Sequence, residues 1–165
     1  MYIGLLGLSP AQYGITFGAI VSALIAGALF TQRRIMQLGP EKIVAIGVAL
    51  VAAGATLTLL VYLLFGLSLL GLSLPQVLVT LGGGMLLPAA VAGAVIPNAH
   101  RAGLAAGFMG FAQMAGATGS GVLLSLLADG TATPMVLLNT LFAVAALSAF
   151  HLLRPRPAVG AVLAR

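Results

Sequence analysis

Apolar and polar positions fall along this chain in long blocks, without the short periods of an amphipathic helix or a half-buried strand. Basic residues divide it into three blocks: Met1 to Gln32, the stretch between Lys42 and His100, and the stretch between Arg101 and Arg154. A helix crossing the hydrocarbon core of a bilayer needs about 20 apolar residues. Each of the last two blocks is more than fifty residues long, too long for one crossing and right for two with a hairpin. Turn signals mark the breaks. Ser73 and Pro75 suit an N-cap and first turn after FGLSLLGLSLP (65–75), Thr133 and Pro134 do so after ADGTATP (128–134), and Ser9 and Pro10 repeat the pattern near the start. The spacing predicts five helices, at about 11–32, 43–64, 74–96, 102–127 and 133–153. A closed β-barrel also satisfies backbone groups in lipid, but its strands alternate apolar and polar residues. VAIGVALVAAGATLTLLVYLL (44–64) does not alternate. The fold class expected is an all-α, multi-pass transmembrane helix bundle.

Composition strengthens that reading. Hydrophobic residues make up 61% of the chain and charged ones 5%, whereas about a quarter of an average soluble domain is charged. Seven basic and two acidic residues could not cover a soluble fold. The net charge of +5 does not point to nucleic acid, because the basic residues form no stripe able to track phosphates. Without cysteine there is neither a disulfide framework nor thiol chemistry. Residues 1–14 lack the basic n-region of a signal peptide.

Five crossings put the basic residues on one side. Arg33, Arg34 and Lys42 fall in the first inter-helix loop, within FTQRRIMQLGPEK (30–42); Arg101 falls in the third; Arg154, Arg156 and Arg165 follow the last helix. The opposite loops carry only Asp129. The positive-inside rule then makes the basic side, and the tail 154–165, cytoplasmic. Met1 would lie outside. MYIGLLGLSP is apolar but too short to span, so residues 1–10 read as the end of a truncated preceding helix and an external loop. The expectation is a C-terminal part of a longer protein; a short uncharged N-terminus that crosses unaided is the alternative.

Small residues dominate 102–127. Gly103 and Gly107 form a GxxxG pair, with Gly110, Gly116, Ser120 and Gly121 beyond, and Gly14, Gly18, Ser22 and Ala26 form a similar row. Such residues let helix backbones approach closely in lipid, so tight packing is expected at both faces, in preference to a mobile gate. None of the five predicted spans holds Asp, Glu, Lys or Arg, so no proton-coupling carboxylate is supplied. The polar groups at depth are neutral. Gln113 falls about 17 Å along its helix, near the midplane, and can either bond a neighbouring helix or line a cavity. Asn139 suits an interhelical bond better. Thr16 is a weaker candidate, and Met85, Met109 and Met114 could form an adaptable apolar wall. Gly84 and Pro88, in GGGMLLP, fall mid-span, where proline removes a backbone hydrogen bond and kinks a helix; interrupted helices often mark a translocation path. No Walker loop, metal-ligand spacing or Ser–His–acid set is present. Catalysis, a metal and a cofactor are therefore not expected.

The order of features resembles the C-terminal half of a major facilitator superfamily transporter, and more narrowly the Bcr/CflA drug-resistance efflux family. The resemblance is carried by LSPAQYGITFGAI (8–20), GALFTQRRIMQLG (27–39), MLLPAAVAGAVIPNAHRAGLAAGFMGFAQMAGATGSG (85–121) and DGTATPM (129–135). It covers about residues 2–155, with the five helices standing as the family's eighth to twelfth. It implies a twelve-helix carrier in a bacterial inner membrane that exports drug-like compounds against protons by alternating access. The partners implied are membrane lipid, a drug-like substrate, the proton gradient and an N-terminal half. Gln113, Met109, Asn139 and Thr16 become substrate-cavity candidates, Pro88 and Gly84 gating candidates. Gly27, Arg33, Arg34 and Gly39 resemble a degenerate copy of the superfamily's cytoplasmic-loop motif, with Thr31 and Gln32 where its acidic residue belongs. Two other functions fit the same residues: a non-transporting membrane scaffold or remnant of a broken gene, and an exporter of sugars or metabolites.

Overall fold

The structure, a computed structural model, describes residues 10–66 and 68–153. The expected end of a preceding helix and the tail 154–165 lie outside these residues. Helix α1 spans Pro10–Leu38, α2 Pro40–Phe65, α3 Leu69–Val95, α4 Ala102–Leu126 and α5 Thr133–Leu153, with a 3-10 segment at Ile96–Arg101 between α3 and α4. No strand occurs among the described residues. Among the described residues, four stretches are long and apolar enough to cross a membrane: Gly14–Leu38, Pro40–Phe65, Gly71–Leu126 and Thr133–Leu153. The chain is thus an all-helical, membrane-embedded protein. The third stretch contains both α3 and α4 and runs through the 3-10 segment.

The element boundaries differ most from those the sequence suggested at the end of α1 and the start of α3. The first helix does not end at Gln32; it continues through Arg33 and Arg34 to Leu38. Charged side chains at the end of a helix reach water without breaking it, so charge did not mark the boundary. Gly39 does: its φ of 78° is a backbone conformation that side-chain-bearing residues resist, and its N–H still bonds Ile35 O at 2.9 Å. Pro40 then opens α2, where its missing N–H is harmless, and Glu41 sits in the first turn against the positive end of the helix dipole. At the other boundary, Ser68 is the N-cap of α3, its Oγ accepting from Gly71 N at 3.0 Å. Ser73, expected as the cap, is instead buried inside the helix, together with Pro75.

Helix α3 is the centre of the packing, lying against α1 on one side and α2 on the other, while α5 packs on α2. The closest approaches are made by glycine. A Cβ at Gly27 would collide with Leu81 O, and one at Gly84 with Leu24 O, so α1 and α3 meet backbone to backbone. A Cβ at Gly82 would lie 2.6 Å from Gly47 O, and one at Gly54 would lie 2.9 Å from Pro75 O, so α2 and α3 meet in the same way. Ile43, Met85 and Ala89 form the buried core, flanked by Ile35, Leu38, Val44 and Leu50.

The expected tight faces are elsewhere. Nothing lies within 4 Å of a Cβ built on Gly103, Gly107, Gly110, Gly116 or Gly121, or on Gly14 and Gly18. Helix α4 has no buried residue at all. Spacing alone identifies a helix able to approach another closely; only the partner's position decides which glycines are used.

Candidate functional site

Helix ends decide where the polar side chains sit. At one end of the bundle, Gly39–Pro40 turns α1 into α2 and places Arg33, Arg34, Glu41 and Lys42 on exposed surface. Arg34 Nη1 donates to Gln37 Oε1 at 2.8 Å, one turn along its own helix. The 3-10 segment with His100 and Arg101 is the other basic connection among the described residues. Pro97 supplies no N–H to the ladder, Asn98 departs from helical geometry at φ −115°, ψ 37°, and Asn98 Nδ2 bonds the freed Ala94 carbonyl at 3.0 Å. The opposite end holds Asp129, whose Oδ1 accepts from Thr131 N at 2.8 Å and Thr131 Oγ1 at 2.6 Å. The Thr131 hydroxyl, and then its backbone N–H, hold this carboxyl below its ordinary range. There too Tyr62 OH and Thr133 Oγ1 share a 2.7 Å hydrogen bond that pins α2 to α5.

Cavities lie between the described helices. One, about 660 Å³, is framed by Pro40, Glu41, Val44, Gly93, Met109 and Phe150, among others, near the basic end. A second, about 610 Å³, lies between α2 and α5 near Asp129. A third, about 240 Å³, separates α4 from α5 and is lined by Ser120, Met135, Asn139 and Phe142 among others. The first two are of the size that drug-like molecules occupy.

The residues singled out from the sequence do not converge on one cavity. Met109 lines the 660 Å³ cavity and Asn139 the 240 Å³ one. Gln113 is exposed on α4 and lines none of the three; Thr16 is half-buried on α1, apart from them. Met85 is in the core while Met114 is exposed, so the methionines form no common wall. Pro88 lies within α3, which continues past it to Val95; the departure from helical torsion comes at Asn98. Gly84 and Gly27 are buried packing positions, Arg33 and Arg34 are exposed, and Gly39 is the turn.

One polar contact was not anticipated. Thr31 is buried, and its Oγ1 donates to Met85 O on α3 at 3.3 Å. A threonine four residues after a glycine at a close approach was the available signal. Thr140 Oγ1 similarly donates to Ala55 O, 3.1 Å away on α2.

No family model matches the chain, and no curated protein or solved structure matches it either.

Proposed function

We propose that the chain is the C-terminal bundle of a proton-coupled multidrug exporter working by alternating access, and that it does not transport alone. The observation that carries this reading is helix α4. It has no buried residue, six of its glycines have nothing within 4 Å of an added Cβ, and Gln113 is exposed on it. A helix so rich in glycine is costly unless a neighbour uses the close approach. Among the described residues none does, which favours further helices covering it. Lipid could cover an apolar helix, but it offers an amide such as Gln113 no partner.

The crossing count supports the same reading. The Gly71–Leu126 stretch is 56 residues, about 84 Å as a helix, against a core about 30 Å thick. We read it as two crossings that turn at the 3-10 segment, giving five in all. Arg33, Arg34, Lys42 and Arg101 then share one side, which the positive-inside rule makes cytoplasmic. The resemblance adds the inner membrane, the drug-like substrate and the proton gradient; the missing ionisable group at mid-span adds that the coupling carboxylate belongs to other helices.

The test is transport in proteoliposomes. The chain alone is expected to show no pH-gradient-driven movement of a fluorescent drug such as ethidium, and to gain it when supplied with an N-terminal bundle. Movement by the chain alone overturns the half-carrier reading. Failure of any bundle to restore it favours a non-transporting scaffold.

A further inference from the structure

The 610 Å³ cavity has a shape and polarity that transport by a central pathway does not require. Its walls are Leu59 on α2 and Pro134, Leu137, Leu138, Leu141 and Val144 on α5. Leu137, Leu141 and Val144 are 50%, 62% and 46% exposed, so this apolar slot opens sideways, to the region that hydrocarbon fills around a membrane-embedded helix. At its end stands Asp129, four residues ahead of the span Thr133–Leu153 and therefore at headgroup depth.

The other polar groups of the slot are already used. Thr133 bonds Tyr62, and Thr140 bonds the Ala55 and Val136 carbonyls. Asp129 takes both Thr131 bonds on Oδ1, which leaves Oδ2 to accept from outside. Its lowered pKa keeps it ionised at neutral pH. It is the only charged residue in the described connections at this end; the basic residues among the described positions are all at the opposite end.

We infer that this slot is a lipid site: it holds an acyl chain of a phospholipid whose headgroup carries a primary ammonium, and Asp129 accepts that ammonium. Charge complementarity selects the headgroup. A carboxylate repels an anionic phosphoglycerol head, and a trimethylammonium head brings charge but no N–H donor. The inference rests on membrane embedding and not on transport, so it is read without a transport assay and stands or falls apart from the exporter reading.

Native mass spectrometry of the full purified chain, titrated with phosphatidylethanolamine and phosphatidylglycerol of equal chain length, tests it. An exposed ion pair adds only modestly to binding, so a preference for phosphatidylethanolamine of up to about fivefold is expected. Asp129→Asn keeps a side chain able to hold the turn and is expected to abolish the preference; Asp129→Glu is expected to retain part of it. A phosphatidylethanolamine with a photoreactive acyl chain should label the peptide containing residues 133–144. Equal binding of both lipids by the wild type, a preference that survives Asp129→Asn, or labelling confined to other helices each overturns the site. So does Asp129-dependent binding of dodecylamine without any lipid preference, which would assign the slot to soluble amines.

Discussion

Glycine in this chain has two opposite meanings, and the difference is measurable. Gly84 lies against the Leu24 carbonyl, so a methyl group there meets backbone that cannot swing aside. Gly84→Ala is expected to destabilise the bundle by about 1–3 kcal/mol. Gly107 meets open space. Gly107→Ala should leave this chain unharmed or more stable by about 0.5–1 kcal/mol, because alanine loses less backbone freedom in a helix. Thermal unfolding of the two variants in detergent separates the cases; equal losses would contradict the packing. From sequence the two residues look alike: each has small residues near it at helical spacing. Gly84 is buried because α3 is central, a property of the bundle that no local pattern encodes. Thr31 teaches the same lesson. Its hydroxyl matters through Met85, fifty-four positions away in sequence.

The helices themselves were largely legible, since a run of apolar residues in lipid has few conformational choices. Their ends were less so. Helix α5 begins at Thr133 and closes at Leu153, the bounds its Thr–Pro start and apolar run suggested. Helix α1 overran its expected end because arginine is a good helix former and only Gly39 forces the turn. Helix α3 began early because Ser68, preceding a similar run, caps as well as Ser73 would. The elements also differ in how firmly they are held. Backbone-level contacts bind α3 to α1 and α2, whereas α4 has no buried residue and its glycines meet open space. Hydrogen exchange of the detergent-solubilised chain should therefore be fastest in α4 and slowest in α3 around Gly82–Ala89. Uniform exchange across the helices would show that α4 is held better than its burial indicates.

At the level of the whole molecule, parity is the strongest claim. The chain has no cysteine, so single replacements report cleanly on which side a connection lies. With five crossings, Gln37→Cys and Ala99→Cys react with an impermeant maleimide from one side of the membrane, and Gly130→Cys reacts from the other. Reaction of Ala99→Cys and Gly130→Cys from the same side would remove α4 as a crossing and undo the count. Function was less legible than fold at this scale. The residues marked as cavity candidates occupy separate cavities or none, because depth in a helix specifies height in the bilayer and not direction around the axis.

Helix α4 has a use that its few contacts conceal. Tyr62 meets Thr133 at one end of the α2–α5 pair, while Glu41 and Phe150 share a cavity at the other, so the two helices run antiparallel. The 3-10 segment delivers the chain to the end where Phe150 lies, since Pro97 borders that same cavity. Were α4 deleted, α5 would have to start there and run backwards, with Thr133 stranded at the wrong end from Tyr62. An internal deletion that keeps α5 on α2 should therefore remove α3 and α4 together, and the least-packed helix is protected from loss on its own by the direction of the helix that follows it.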